Sequence, residues 1–240
     1  MKEWPNVVKT LEYSGSSMSE TTGLLINFAM NMSDFIDQLI ASLNRPLPGL
    51  SAHKNYAPEG REINPQLLAT EDYRHSAVAV ICTLKSDTPS FILTKRMPYD
   101  GAHGGQISFP GGKKEHEDPT SEHTARRETF EEIGWKLEAQ HLLGKIRDVY
   151  IPVSKFKVEP YIYLVDEIQE FQLNEREVSE IIQLPVDVLL HENTTKLVNI
   201  PISSGVILKD VPAFIFEGHI IWGATALMLG ELRAMLLNEY

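Results

Sequence analysis

Between Asp118 and Gly134 the chain carries signals for both ends of a helix. Asp118 can cap the first turn, Pro119 suits it, and Gly134 can take the left-handed conformation that closes a helix. At about 100° per residue, Ala125, Thr129 and Ile133 make one stripe with Phe130 beside it, while Glu128, Glu131 and Glu132 fall within a sector of about 100° on another side. The segment therefore has a packing face and an anionic face. Carboxylates at i, i+3 and i+4 repel by about a few tenths of a kcal/mol per pair on an exposed helix, so something should offset them. A hard divalent cation is one answer, because magnesium takes oxygen ligands, keeps several waters and bridges carboxylates to substrate phosphates. A solvated charged face is the other. The surroundings favour the cation: Gly111 and Gly112 stand before the helix, Arg127 directly precedes Glu128, and Gly134 and Trp135 follow.

The rest of the chain reads as one α/β or α+β domain. Its 240 residues are 42% hydrophobic with a formal net charge of -11, which argues against a broad basic surface for nucleic acid or an anionic membrane. Small anionic substrates would need local cations. No run of about 18 apolar residues is present, so a membrane span is not expected and a cytoplasmic location is. The single cysteine, Cys82, excludes an internal disulfide and a cysteine-ligated zinc site, and its apolar run reads as a buried strand. Residues 1–31 are expected to be a weakly ordered N-terminal extension, and residues 32–240 the domain proper. Ser33 is placed as the cap of a helix carrying Phe35, Ile36, Leu39, Ile40 and Leu43. Residues 76–84 and 90–96 read as two strands joined by a turn. Residues 174–190 read as a helix until Pro185, residues 211–223 as strands, and residues 224–240 as an amphipathic helix with Leu227, Leu229, Leu232, Met235 and Leu236 mostly to one side.

The segment from Gly112 to Trp135, with its Arg127-Glu128-Thr129-Phe130-Glu131-Glu132-Ile133-Gly134 core, resembles the Nudix box. The interval from Gly112 to Arg127 is one residue longer than usual, and Asp118 or Glu117 substitutes for a missing acidic position. "LTKRMPYDGAHGGQISFPGG", Leu93 to Gly112, resembles the additional signature of the coenzyme A pyrophosphatase branch. The resemblance, over roughly residues 32–238, implies an α/β/α sandwich with a mixed sheet and flanking helices. It implies a Mg2+- or Mn2+-dependent pyrophosphohydrolase acting on a coenzyme A-like nucleotide, with a homodimer left open. Glu128, Glu131, Glu132 and the Gly112 carbonyl are the implied metal ligands. Glu131 is the first candidate for the base, with Glu177 and Glu180 as rivals on the later helix, and Arg127 holds the carboxylates in place. Lys95, Arg96, His103 and Gln106 are the implied substrate contacts, and Lys113 and Lys114 are further cations nearby. Gly101 stands where many members of the branch carry arginine, which keeps other substrates open: ADP-ribose, a dinucleotide such as NADH, or a nucleoside triphosphate. An inactive nucleotide sensor is the remaining reading.

Overall fold

In the computed structural model of the chain, the structure describes residues 32–64, 66, 72–84, 88–98, 104–166, 169–202 and 205–240. The N-terminal extension expected over residues 1–31 lies outside them. Eight strands form a mixed sheet: β1 (Arg74–Thr83), β2 (Ser90–Arg96), β3 (Ile107–Ser108), β4 (Gly111–Lys113), β5 (Leu142–Lys145), β6 (Val149–Ile151), β7 (Phe156–Val165) and β8 (Val178–Pro185). β1 is its centre. It runs parallel to β7 over ten residue pairs, from Arg74 opposite Phe156 to Thr83 opposite Val165, and antiparallel to β2 and β4. Its last eight residues are buried, as a strand covered on both faces requires. Cys82 is wholly buried within this run, and burial pushes its thiol pKa well up, as an inert structural cysteine should be.

Helices cover the two faces. On one, α3 (Ser121–Ile133) lays Ala125 and Ile133 against Ala77, Ala79 and Ile81 of β1. On the other, α1 (Met32–Leu43), the short α2 (Leu50–His53) and α4 (Val186–Leu190) pack with α5 (Ala224–Leu237) over Val78, Val80, Phe91 and Leu93. A second sheet, β9 (Thr195–Pro201), β10 (Ile207–Phe216) and β11 (His219–Ile221), is antiparallel and adds Phe214 and Ile221 to this layer. This is the expected sandwich of helices about a mixed sheet.

Several sequence expectations need correction. Residues 178–185 are a strand, not a helix: β8 pairs antiparallel with β2 from Ser90 opposite Pro185 onward, and the helical turn comes after Pro185, in α4. α5 is not amphipathic. Every residue from Thr225 to Leu232 is buried, including Glu231, because the helix is enclosed by α1, α2, α4 and the sheets. Phe130, expected beside the packing stripe, is 58% exposed. α1 begins at Met32, so Ser33 lies within its first turn.

Polar side chains fasten the helical layer. Gln38 Nε2 and Ser42 Oγ of α1 both donate to the Met235 carbonyl of α5, each at 2.9 Å. The buried Glu231 carboxylate accepts from the Gly49 and Arg147 amides and meets His53 Nε2 at 2.8 Å. On the opposite face, Glu159 of β7 receives Ser121 Oγ at 2.8 Å and Lys145 Nζ at 3.0 Å, tying the start of α3 to the sheet. Burial alone would raise the Glu159 pKa, but these hydrogen bonds win and bring it to about 2 from an ordinary value of 4.5. A depressed folded pKa contributes stability that is present above 4.5 and is lost as pH falls through about 2. Glu159→Gln should therefore cost about 2 kcal/mol at neutral pH. It should also flatten the fall in melting temperature between those two pH values, as thermal melts across an acid series would show.

Candidate active site

The site is built where α3 faces β4. Thr120, not Asp118, caps α3: its side-chain oxygen accepts from the His123 amide at 3.1 Å, and Pro119 lies before the cap. Gly134 ends the helix at φ 76°, as expected, and its amide donates to the Phe130 carbonyl. Asp118 is free for another task. Its carboxylate, 1% exposed, accepts from Arg127 Nε and Nη2, Thr124 Oγ1 and the Glu115 amide, and contacts His123 Nδ1. The Arg127 hydrogen bonds hold Asp118 far below the usual carboxylate range, and reciprocally raise Arg127 above its ordinary value.

Arg127 is the hub. Besides Asp118, it reaches Glu128 Oε1 through Nη2 and Glu131 Oε2 through Nη1, both at 2.9 Å, and donates to the Lys113 carbonyl of β4. One guanidinium thus fixes the helix, the strand and two carboxylates relative to one another. Glu132 lies deeper, its side chain 3% exposed. Oε2 accepts from the Gly111 amide at 3.2 Å, and Oε1 lies 3.5 Å from Arg96 Nη1 at the end of β2. Burial raises its pKa to about 8 against the opposing effects of Arg96 and the Gly111 amide, with Glu128 and Glu177 adding to the rise. Glu128 is raised by burial too, and again Glu177 contributes.

The two glycines of β4 make room for this. Gly111, at φ 151°, lies so close to β1 that a Cβ would overlap the Ala77 carbonyl oxygen and come within 2.6 Å of the Val78 Cα. At Gly112 an added Cβ would overlap the Glu128 carboxylate itself. The box residues are thereby brought against the backbone that precedes them.

The model of the NUDIX domain matches residues 73–201, a stretch that holds β1, β4 and the box helix. The chain belongs to the Nudix family. The human mitochondrial coenzyme A diphosphatase NUDT8 is 34% identical over 169 residues, 68% of this chain and 70% of that protein. The Nudix hydrolase NudL of Yersinia enterocolitica is 31% identical over 158 residues, covering 66% of this chain and 80% of its own. NudL of Yersinia pestis is 28% identical over 203 residues, 84% and 92% of the two chains.

As a Nudix hydrolase the chain gathers most, not all, of the residues expected from its sequence. Glu128, Glu132, Gly112, Arg127 and Arg96 converge. Glu131 turns outward to Arg127 and is 50% exposed. Gln106 lies beside Arg96 through its carbonyl, which accepts the Arg96 amide at 2.9 Å. Lys95 points elsewhere, to Glu180 of β8. His103 lies outside the described residues, as does Gly101. Glu177 and Glu180 do not sit on a helix: Glu177 is in the turn before β8 and Glu180 within that strand. The turn is locked by Asn174, whose amide donates to the Glu132 carbonyl and whose side chain donates to Glu177 Oε1. The link from Asn174 to the Glu132 carbonyl was missed in the sequence because the two lie 42 residues apart and only the fold joins them; its bond to Glu177 is a local turn contact.

Among the described residues no three acidic, histidine or cysteine side chains already meet in a metal-holding arrangement. The reason is visible in the partners: Arg127 draws Glu128 and Glu131, while Arg96 and the Gly111 amide hold Glu132. The donor set nonetheless fits a hard divalent cation. Burial raises the pKa of the partly buried Glu128 and of the buried Glu132, and the Gly112 backbone abuts the Glu128 carboxylate, so these oxygen donors are ones that a bound cation would relieve of their desolvation.

Proposed function

We propose that this Nudix hydrolase cleaves the diphosphate bond of coenzyme A or its acyl derivatives, releasing 3',5'-ADP and 4'-phosphopantetheine or its acyl form. The observation that supports this substrate is the 34% identity to human coenzyme A diphosphatase over two thirds of the chain. Glu128, Glu132 and the Gly112 carbonyl are the proposed ligands of Mg2+ or Mn2+. That ion, when bound, neutralises charge on the diphosphate oxygens and makes an attacking water more acidic.

The chain's own groups then have distinct tasks. Arg127 keeps Glu128 and Glu131 in register through charge-assisted hydrogen bonds, backed by Asp118. Arg96, 29% exposed and weakly held by Glu132, is placed to turn to a phosphate oxygen. Glu131, half exposed and oriented by Arg127, is the proposed acceptor of the proton lost by water; Glu177, fixed by Asn174, is its rival. Gln106, just before β3, and His103 are the proposed substrate contacts.

The purified protein with magnesium should release 3',5'-ADP chiefly from coenzyme A and acetyl-coenzyme A in a panel with ADP-ribose, NADH and nucleoside triphosphates, with products identified by mass spectrometry. Preference for any other member of the panel would reject the substrate and keep the Nudix chemistry. A cytoplasmic location and a homodimer are likewise proposals, for cell fractionation and light scattering to decide. Among the described residues no helix is long and apolar enough to cross a membrane.

A further inference from the structure

The last two residues of β2 serve two different places. Arg96 reaches Glu132 on α3, whereas Lys95 reaches Glu180 of β8, with Nζ 3.3 Å from Oε2. A register shift separates them: Lys95 pairs with Glu180 and Arg96 with Val178, so Ser179 is the extra residue, and its Oγ donates to the Lys95 carbonyl at 3.1 Å. Bulges of this kind re-aim side chains and are common beside active sites. The second oxygen of Glu180 is met from another sheet altogether. The β10–β11 hairpin turns through Glu217 and Gly218, both at positive φ, and delivers His219, whose Nε2 lies 3.3 Å from Glu180 Oε1. Lys95, His219 and Glu180 thus come from three separate strands to one point at the end of β2.

Two nitrogens on the two oxygens of a single carboxylate form a receptor for an oxyanion. Lysine donates, and histidine can donate from Nε2 when neutral or protonated. The anion in place is easily displaced: the Glu180 side chain is 43% exposed and Lys95 37%, so their pair is worth about 1 kcal/mol or less. His219, only 15% exposed, stays put. A phosphomonoester carries a charge of about -1.5 to -2 at neutral pH and three acceptor oxygens, against one charge and two oxygens for Glu180. We propose that Lys95 and His219 form a subsite for a phosphomonoester of the substrate, with Glu180 standing in for that group in its absence. Lys95 and Arg96 are neighbours at the end of β2 with side chains on opposite faces of the strand, so the diphosphate and the phosphomonoester of one nucleotide would meet that strand end from its two sides. The proposal rests on the reading above only in taking that group to be the 3'-phosphate of coenzyme A.

The test uses the whole protein without turnover. Calorimetric titration with 3',5'-ADP and with AMP, which differ by the phosphomonoester, should give a preference of about tenfold or more for 3',5'-ADP. Lys95→Met and His219→Gln should each shrink that ratio about fivefold, and Glu180→Gln should enlarge it about twofold or more by removing the stand-in. A cluster that merely joined the two sheets would lower both affinities together and leave the ratio unchanged in all three variants, which would overturn the proposal. Thermal melts confirm that each variant is folded; if one is not, a change in the ratio in either direction expected of the remaining two still decides, since a merely structural cluster leaves it unchanged. Coenzyme A cleaved by a protein with a ratio near one rejects the subsite and keeps the substrate. Coenzyme A left intact by a protein whose ratio depends on Lys95 and His219 rejects the substrate and keeps the subsite.

Discussion

Glu132→Gln should lower kcat/KM by about 10²–10³-fold at saturating magnesium, yet leave the protein as stable as before or more so. The amide keeps the shape of the carboxylate and an oxygen to accept the Gly111 amide. What it loses is a charge that burial opposes. With the folded pKa near 8 against an ordinary 4.5, Glu132 contributes stability that is fully present below 4.5 and is lost as pH rises through about 8. A neutral glutamine has no such dependence, so the melting temperature of the variant should exceed that of the parent most clearly above pH 8. Activity and stability would move in opposite directions, as expected of a residue kept for chemistry at the expense of the fold. Turnover near the parent level would remove Glu132 from the site, and a sharp drop in melting temperature would make it a structural anchor instead.

The second large effect separates two adjacent glycines. Gly111→Ala should cost about 3–5 kcal/mol, roughly 10 °C in melting temperature for a chain of this size, because its Cβ would meet the backbone of Ala77 and Val78 and its φ is unfavourable for alanine. Gly112→Ala meets only the end of the Glu128 side chain, which can swing away. It should therefore keep the fold and lose activity by about 10²-fold or more, since the carboxylate cannot stay where it is. Paired melts and kinetics on the two variants test the contrast. Equal destabilisation by both would show that the Glu128 carboxylate is as immovable as the backbone.

What could be read in the sequence was whatever depends on local spacing. The helix of the box and its glycine end follow from local spacing and appear as expected. β8 was not legible because Val178 and Ile182, four apart, satisfy both a helical stripe and a strand alternation, and Glu180 and Gln183 beside them favour a helix. Pairing with β2 decided the matter, a tertiary effect that outweighs propensity. The capping error has a similar origin: Asp118 is a good cap in isolation, but Arg127, nine residues on, claims it more strongly than a helix amide can. The hold of Asn174 on the Glu132 carbonyl, 42 residues away in the chain, depends on a contact that no periodicity encodes.

The bonds between α1 and α5 set the order in which the molecule can be made. Gln38 and Ser42 find their acceptor at Met235, and Gly49 finds its own at Glu231, more than 180 residues later in the chain. During synthesis the first helices emerge long before their partners exist. The box, its sheet and its carboxylates can assemble first, while the parts of α1 and α2 that pack on the final helix wait for it to arrive. A chain halted before residue 231 would carry all the box carboxylates and still offer a sticky surface to its neighbours.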